Sequence, residues 1–150
     1  MKVRIEIDES LFEDEVVIRC RRLDEETQKI YQSLQDVKKE NRSILFYHEN
    51  TEYYFPLDKI LFFETEEHGV RAHTQDQIYD TQYRLYELEE MLPGTFMRVS
   101  KSTILNLQHI YSITKNLTAS SVVQFSGTHK QVYVSRNYYK PLKSRLEEKR

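Results

Sequence analysis

The chain opens on a strict alternation. In KVRIEI, residues 2–7, Val3, Ile5 and Ile7 fall to one side and Lys2, Arg4 and Glu6 to the other, the pattern of a half-buried strand. EVVIRC, residues 15–20, is a second β-rich run. The period then changes: Leu23, Thr27, Ile30, Tyr31, Leu34 and Val37 recur at spacings of three and four, which predicts an amphipathic helix to about Lys39. Asp24 stands at the N-cap position, and Glu25 and Glu26 fill the first turn, where the helix dipole favours negative charge. This strand–strand–helix unit, residues 1–43, is too small for a secure core of its own. It is expected to pack on the remainder or on a second copy of itself.

From residue 44 the pattern becomes a series of short β runs: ILFYHE, EYYFPL, KILFFETEE, GVRAHT and QIYDTQ, with Glu49 and Asn50 as the first turn. Leu85, Leu88, Met91 and Leu92 mark a short helix stopped by Pro93 and Gly94. HIYSIT, SVVQFS and KQVYVS read as three further strands, the last two joined through Gly127, Thr128 and His129. The terminal RNYYKPLKSRLEEKR predicts a helix in at least its second half, since Pro141 suits a first turn. The expected class is mostly β, α+β overall: twisted antiparallel sheets with short peripheral helices, preceded by a β-β-α extension.

A chain of 150 residues accommodates one ordinary domain and a small extension. No run approaches the ~18 apolar residues of a membrane span, and the N-terminus lacks a secretory signal, so the cytoplasm is the expected location. The single cysteine, Cys20, excludes an internal disulfide and a Cys-rich zinc site, and is expected as a buried structural thiol. Net charge of −2 conceals a division. Through Leu92 there are 12 Lys and Arg against 22 Asp and Glu; from Pro93 onward, 10 against 2. The C-terminal third therefore suits a polyanion, or pairs with the acidic part. No nucleophilic triad, Gly-rich phosphate cradle or metal-ligand cluster is recognisable, so neither an enzyme nor a cofactor is expected. His68 and His73 lack a third ligand at metal spacing.

One interruption needs a reason. In TFMRVSKSTILNLQHIYSI, residues 95–113, a promising strand gives way to Ser100-Lys101-Ser102-Thr103 before Ile104 and Leu105. A core strand has no use for such an insert; a contact loop does. Together with FFETEEHGVR upstream, the central residues Phe96, Arg98, Lys101, Ser102, Ile104, Asn106 and Ile110 and the last block Val134, Ser135, Arg136, Tyr138 and Leu142 form three blocks in order. Over residues 44–146 this succession resembles the LytTR DNA-binding domain of bacterial transcription regulators. One departure is Ser100, where the family usually has histidine.

The resemblance implies stacked antiparallel sheets that offer loops, not a recognition helix, to successive major grooves. Carried over residue by residue, it implies DNA contacts by His68, Lys101 and Arg136, with nearby backbone-phosphate contacts that Ser100, Ser102, Ser135, Asn137 and Lys140 could supply. The chemistry is compatible: Lys and Arg donate to guanine O6 and N7, hydroxyls donate to phosphate, and the planar fork of Arg136 suits a base edge best. Glu66 and Glu67 beside His68 would repel phosphate, so an ordinary exposed histidine stays open as its alternative. Asn106 reads as a cap or loop-bracing amide and Tyr138 and Tyr139 as packing residues, while Lys140, Lys143 and Arg145 suit either phosphate or a solvated face.

The implied function is a sequence-specific regulator binding double-stranded promoter DNA, with residues 44–150 as DNA-binding domain and residues 1–43 as dimerisation element. A homodimer would match paired half-sites a helical turn apart. The receiver usually fused to this domain does not fit ahead of residue 44. The alternative is a protein-interaction module on the same fold that binds a regulatory partner, a membrane protein included, and has weak or no DNA binding. The acidic first part favours it.

Overall fold

The computed structural model describes residues 1–40 and 43–148. Two compact units divide the chain, Met1–Leu34 and Gln35–Arg150. The boundary expected at residue 43 falls beside Asn41 and Arg42, outside the described residues, as does the expected end at Arg150.

In the first unit only the helix is met as expected. Helix α1, Glu25–Glu40, starts where Asp24 Oδ1 accepts a hydrogen bond from Thr27 N at 2.8 Å. Hydrogen bonding by the Thr27 side chain, and then by this backbone amide, holds the Asp24 carboxyl below its ordinary range. The two expected strands are absent: residues 1–24 form none, and Val3, Ile5 and Ile7 are 90% exposed or more. A strand exists only as half of a pair, and this segment has no neighbour to accept its amides. Cys20 is exposed, against expectation, because no core closes over it.

The second unit is mostly β. Strands β1 (Ser43–His48), β2 (Thr51–Pro56), β3 (Phe62–Glu66), β4 (Gly69–His73), β5 (Ile78–Asp80), β6 (Phe96–Arg98) and β7 (Thr103–Asn106) form one antiparallel sheet in the order β2-β1-β5-β4-β3-β7-β6. Strands β8 (Ile110–Thr114), β9 (Ser121–Phe125) and β10 (Gln131–Val134) form a second. Period-2 alternation assigns the large sheet's two faces. Phe63, Ala72 and Ile104 point into a core with Phe46, Ile60 and Leu88, the last from helix α2, Leu85–Met91. Phe62 and Leu105 point the other way, against Val123, Phe125 and Val134 of the small sheet. The Phe62 and Phe125 rings stack across that seam at 5.4 Å.

Helix α3, Arg136–Glu148, closes the second core with fully buried Leu142. It begins five residues before Pro141, not at it, so Pro141 lies inside the helix. The proline cannot donate to the Asn137 carbonyl, but both residues are exposed, so that carbonyl is open to solvent. Arg136 consequently stands in the helix's first turn.

Candidate nucleic-acid interface

Three connections distant in sequence meet at one edge of the large sheet. Antiparallel pairing of β3 with β7 sets Glu64 opposite Thr103, so the turn after β3, which carries His68, lies beside the connection before β7. Thr65 N donates to Ser102 O at 2.8 Å and ties the two together. Ser135 N donates to Val99 O at 2.9 Å, which fixes the start of α3 to the same connection. Lys101 and Arg136 are thus each within two residues of one shared backbone hydrogen bond. Both side chains are exposed, as are those of His68, Asn137 and Lys140.

The interrupting insert is a turn with its own brace. Val99 N donates to Thr103 O at 3.0 Å, closing residues 99–103. Arg98 reaches under it: Nε donates to Ser100 O at 3.0 Å and Nη2 to Lys101 O at 2.6 Å, with Nη1 3.6 Å from Glu89 of α2. Ser100 Oγ accepts from Ser102 N at 3.2 Å and lies 3.3 Å from Ser102 Oγ. The serine hydroxyls are half-buried and partly spent on the turn's own geometry, and Lys101 is the side chain this turn leaves projecting. Arg98, read from sequence as one motif position among several, is what sets the conformation of the Lys101 backbone.

Asn106 is fully buried, as its reading as a brace requires. Its Nδ2 donates to Ile60 O at 3.0 Å and its Oδ1 accepts from Gln108 N at 3.0 Å. Arg145 is committed elsewhere, donating to the Gly94 carbonyl, and acts as a structural tie; it is half-buried.

A profile described as the LytTr DNA-binding domain matches residues 50–147. The chain belongs to this family. A curated relative from Staphylococcus aureus (strain NCTC 8325 / PS 47), named as an uncharacterized HTH-type transcriptional regulator, is 27% identical over 97% of this chain and 98% of its own. A counterpart from strain MRSA252 matches with the same identity and coverage. The fold resembles a LytTr DNA-binding domain of a putative methyl-accepting/DNA response regulator from Bacillus cereus, with TM-score 0.64 and 21% identity, covering 69% of this chain and 95% of that one. A helix-turn-helix, the term in the relatives' names, needs two helices joined by a short turn. Among the described residues no two helices are consecutive: strands separate α1, α2 and α3.

Within this LytTR domain the α3 end of the edge is the more cationic. A depression of about 380 Å³ is lined by Arg136, Asn137, Lys140 and Tyr139 together with Lys115 and Asn116 from the loop after β8. No carboxylate lines it. Lys115 Nζ sits 5.1 Å from the centre of the Tyr139 ring, which holds this third cation near α3. Lys115 carries only a weak signal in the sequence, a lone lysine between a strand and the stretch NLTAS, and joins the site through the fold. At the other end, His68 shares its depression with Glu66, Glu67 and Asp80; Arg71 also lines it but is paired with Glu66 and Asp80, so the carboxylates disfavour a phosphate there.

Behind the His68 turn, Glu64, Glu66 and His73 bring their ligand atoms within 4.8 Å of one another. His73 is buried, stacked on Phe62 at 4.3 Å, and its Nε2 has no hydrogen-bond partner. The donor set does not fit a metal. Lys130 Nζ, which donates to Thr74 O at 2.9 Å, lies 3.3 Å from His73 Nδ1, so Nδ1 is the accepting nitrogen and the ring proton sits on Nε2. Nε2 then faces Glu66 Oε1 at 3.8 Å, and Arg71 is 3.3 Å from the other Glu66 oxygen. Arg71, which also holds Asp80 at 3.0 Å, and Lys130 offset these carboxylates in a ladder across the sheet.

Burial, then the nearby Lys130 and Arg71 charges, push His73 down to about 4. The unfolded chain takes up this proton first. Stability is therefore complete above about pH 6.5 and lost as pH falls toward 4. The full shift corresponds to ~3 kcal/mol, and solvent screening of the partly accessible cluster reduces the expected loss to ~1–2 kcal/mol. Urea unfolding at pH 7 and pH 4.5 measures it, and His73→Phe, which keeps the stack on Phe62, should remove this component of the pH dependence.

Proposed function

We propose that this chain is a bacterial transcription regulator that grips duplex DNA from one side through turns, without a recognition helix, and acts as two copies on paired half-sites. The observation that carries the reading is the backbone tie between the Lys101 turn and the start of α3, which sets two free cations on one edge. Arg136 and Lys101 meet base edges in the major groove, and Lys140, Asn137 and Lys115 meet phosphates beside them. The half-buried Ser100, Ser102 and Ser135 contribute through their hydroxyls at close approach. His68, at the acidic end, reads a base edge and contacts no phosphate. The relatives named as transcriptional regulators span nearly the same length, which favours a regulator over a DNA-binding enzyme.

Selection from random duplex DNA with the purified chain tests this. Enrichment of a motif repeated about ten base pairs apart is the expected outcome. Retention should fall with salt, with a log–log slope of roughly −2 per copy for the two lysine–phosphate contacts. No enriched motif, or binding indifferent to salt, would discard the reading in favour of a protein-interaction module.

A further inference from the structure

The first unit is a surface without an interior. Among its described residues no apolar side chain is buried, while Val3, Ile5, Ile7 and Phe12 are 92, 90, 90 and 107% exposed. Most of the chain's exposed large apolar side chains fall here, a concentration that marks an interface in a soluble protein. The backbone is equally unpartnered: among the described residues, the single backbone hydrogen bond before α1's cap runs from Leu11 N to Asp8 O at 3.4 Å. Asp8 ends the segment in a turn, its Oδ1 accepting from Ser10 N at 3.0 Å and from Ser10 Oγ at 2.6 Å.

The charges on this segment identify what covers it. Along the polar side of residues 2–8 the order is Lys2, Arg4, Glu6, Asp8: two positives followed by two negatives. Reversed, such an order complements itself. We propose that residues 2–8 of two copies pair as an antiparallel β-ribbon with its two-fold axis at Ile5, an assignment that deepens the two-copy part of the function proposed above. In this register Lys2 faces Asp8 of the other copy, Arg4 faces Glu6, Val3 faces Ile7, and Ile5 faces itself.

Competing registers fail. A shift centred on Arg4 sets arginine against arginine, and one centred on Glu6 sets glutamate against glutamate. A one-residue slip sets every apolar side chain against a charge. A parallel pair in register sets all four charges against their own kind. Only the Ile5-centred ribbon satisfies both faces, and it gives the orphaned backbone amides the partners a strand requires. The Arg4–Glu6 ion pair within the chain, 3.0 Å and highly exposed, is extended by this arrangement into a ladder across both copies. A two-stranded ribbon is marginal alone, so its apolar face needs cover; Phe12, Val16, Val17 and Leu23 of the two copies are exposed and available for it.

Sedimentation equilibrium of the full chain tests the assignment. The wild-type chain should be a dimer at micromolar concentration. Arg4→Glu alone and Glu6→Arg alone each turn two attractive pairs repulsive and should weaken the dimer roughly tenfold or more. The combined swap restores complementarity and should restore the dimer. In a Cys20→Ser background, Ile5→Cys should cross-link two copies on oxidation, while Val3→Cys, which faces residue 7, should not. A monomeric wild type, single swaps without effect, a double swap that fails to rescue, or cross-linking through position 3 and not 5 would overturn it. A monomeric wild type would also transfer the apolar face to a different protein. Binding of single half-site DNA by the swapped monomers keeps the outcomes separate: it persists if the DNA reading holds, whatever becomes of the ribbon.

Discussion

Lys101→Ala combined with Arg136→Ala should lower affinity for the selected duplex by roughly 10²–10⁴-fold, at ~1–3 kcal/mol for each base-edge interaction removed. The expectation follows from what the two side chains do in the free protein, which is very little. Both are exposed, and among the described residues neither makes a hydrogen bond or ion pair through its side chain. The ties that build the edge are backbone bonds, Thr65 to Ser102 and Ser135 to Val99, and alanine leaves them intact. The double variant should therefore stay within about 0.5 kcal/mol of wild-type stability. Salt titration separates the roles: without its base-reading side chains the protein relaxes its sequence preference with little change in slope, whereas Lys140→Ala should reduce the slope by about one. Arg136→Lys sharpens the point, because lysine keeps the charge and lacks the planar fork. Wild-type affinity in the double variant would remove both residues from the interface; a fall in stability would make them structural.

What could be read from the sequence follows the range of the forces involved. The strands of the second unit were legible because alternation is local and at least one face of each strand meets a core, both faces for β3 and β7. Asp24 as a cap was legible because its chemistry acts within three residues; for Asn106 only the bond from Gln108 N is that local, and its other partner, Ile60 O, lies 46 residues away. The first unit was misread for the same reason that makes it informative. Val3, Ile5 and Ile7 alternate as a strand should, but a strand's hydrogen bonds belong to a neighbour, and alternation says nothing about which chain supplies one. Pro141 was misplaced because an exposed proline deep in a helix costs less than a buried one. The site was legible in part. Lys101 and Arg136 carried motif signatures, but Lys115 comes near Arg136 only through the pairing of β8 with β9 and the packing of α3. Arg145 looked free because its partner, the Gly94 carbonyl, is a backbone atom far away in sequence.

Asn106→Leu should be the most destabilising single change in the second unit outside its large apolar residues, at ~2–5 kcal/mol. Leucine nearly matches asparagine in shape, so the cost is polar. Asn106 is fully buried at the end of β7, where its amide satisfies one acceptor, Ile60 O, and one donor, Gln108 N. Removing the amide orphans both, at ~1–3 kcal/mol each, while the Asn106 backbone bond to Leu61 O persists. Asn106→Asp discriminates further. Its carboxylate still accepts from Gln108 N but sets oxygen against the Ile60 carbonyl and buries a charge, so it should cost at least as much near neutral pH. Urea unfolding followed by tyrosine fluorescence reads both. The effect on DNA should be indirect: β7 carries the Lys101 turn at its other end, where Thr65 bonds to Ser102. If Asn106→Leu kept its stability yet failed to bind DNA, the amide would be a contact and not a brace. The protein would then reach DNA from β7's other end as well, a geometry that full burial of Asn106 forbids.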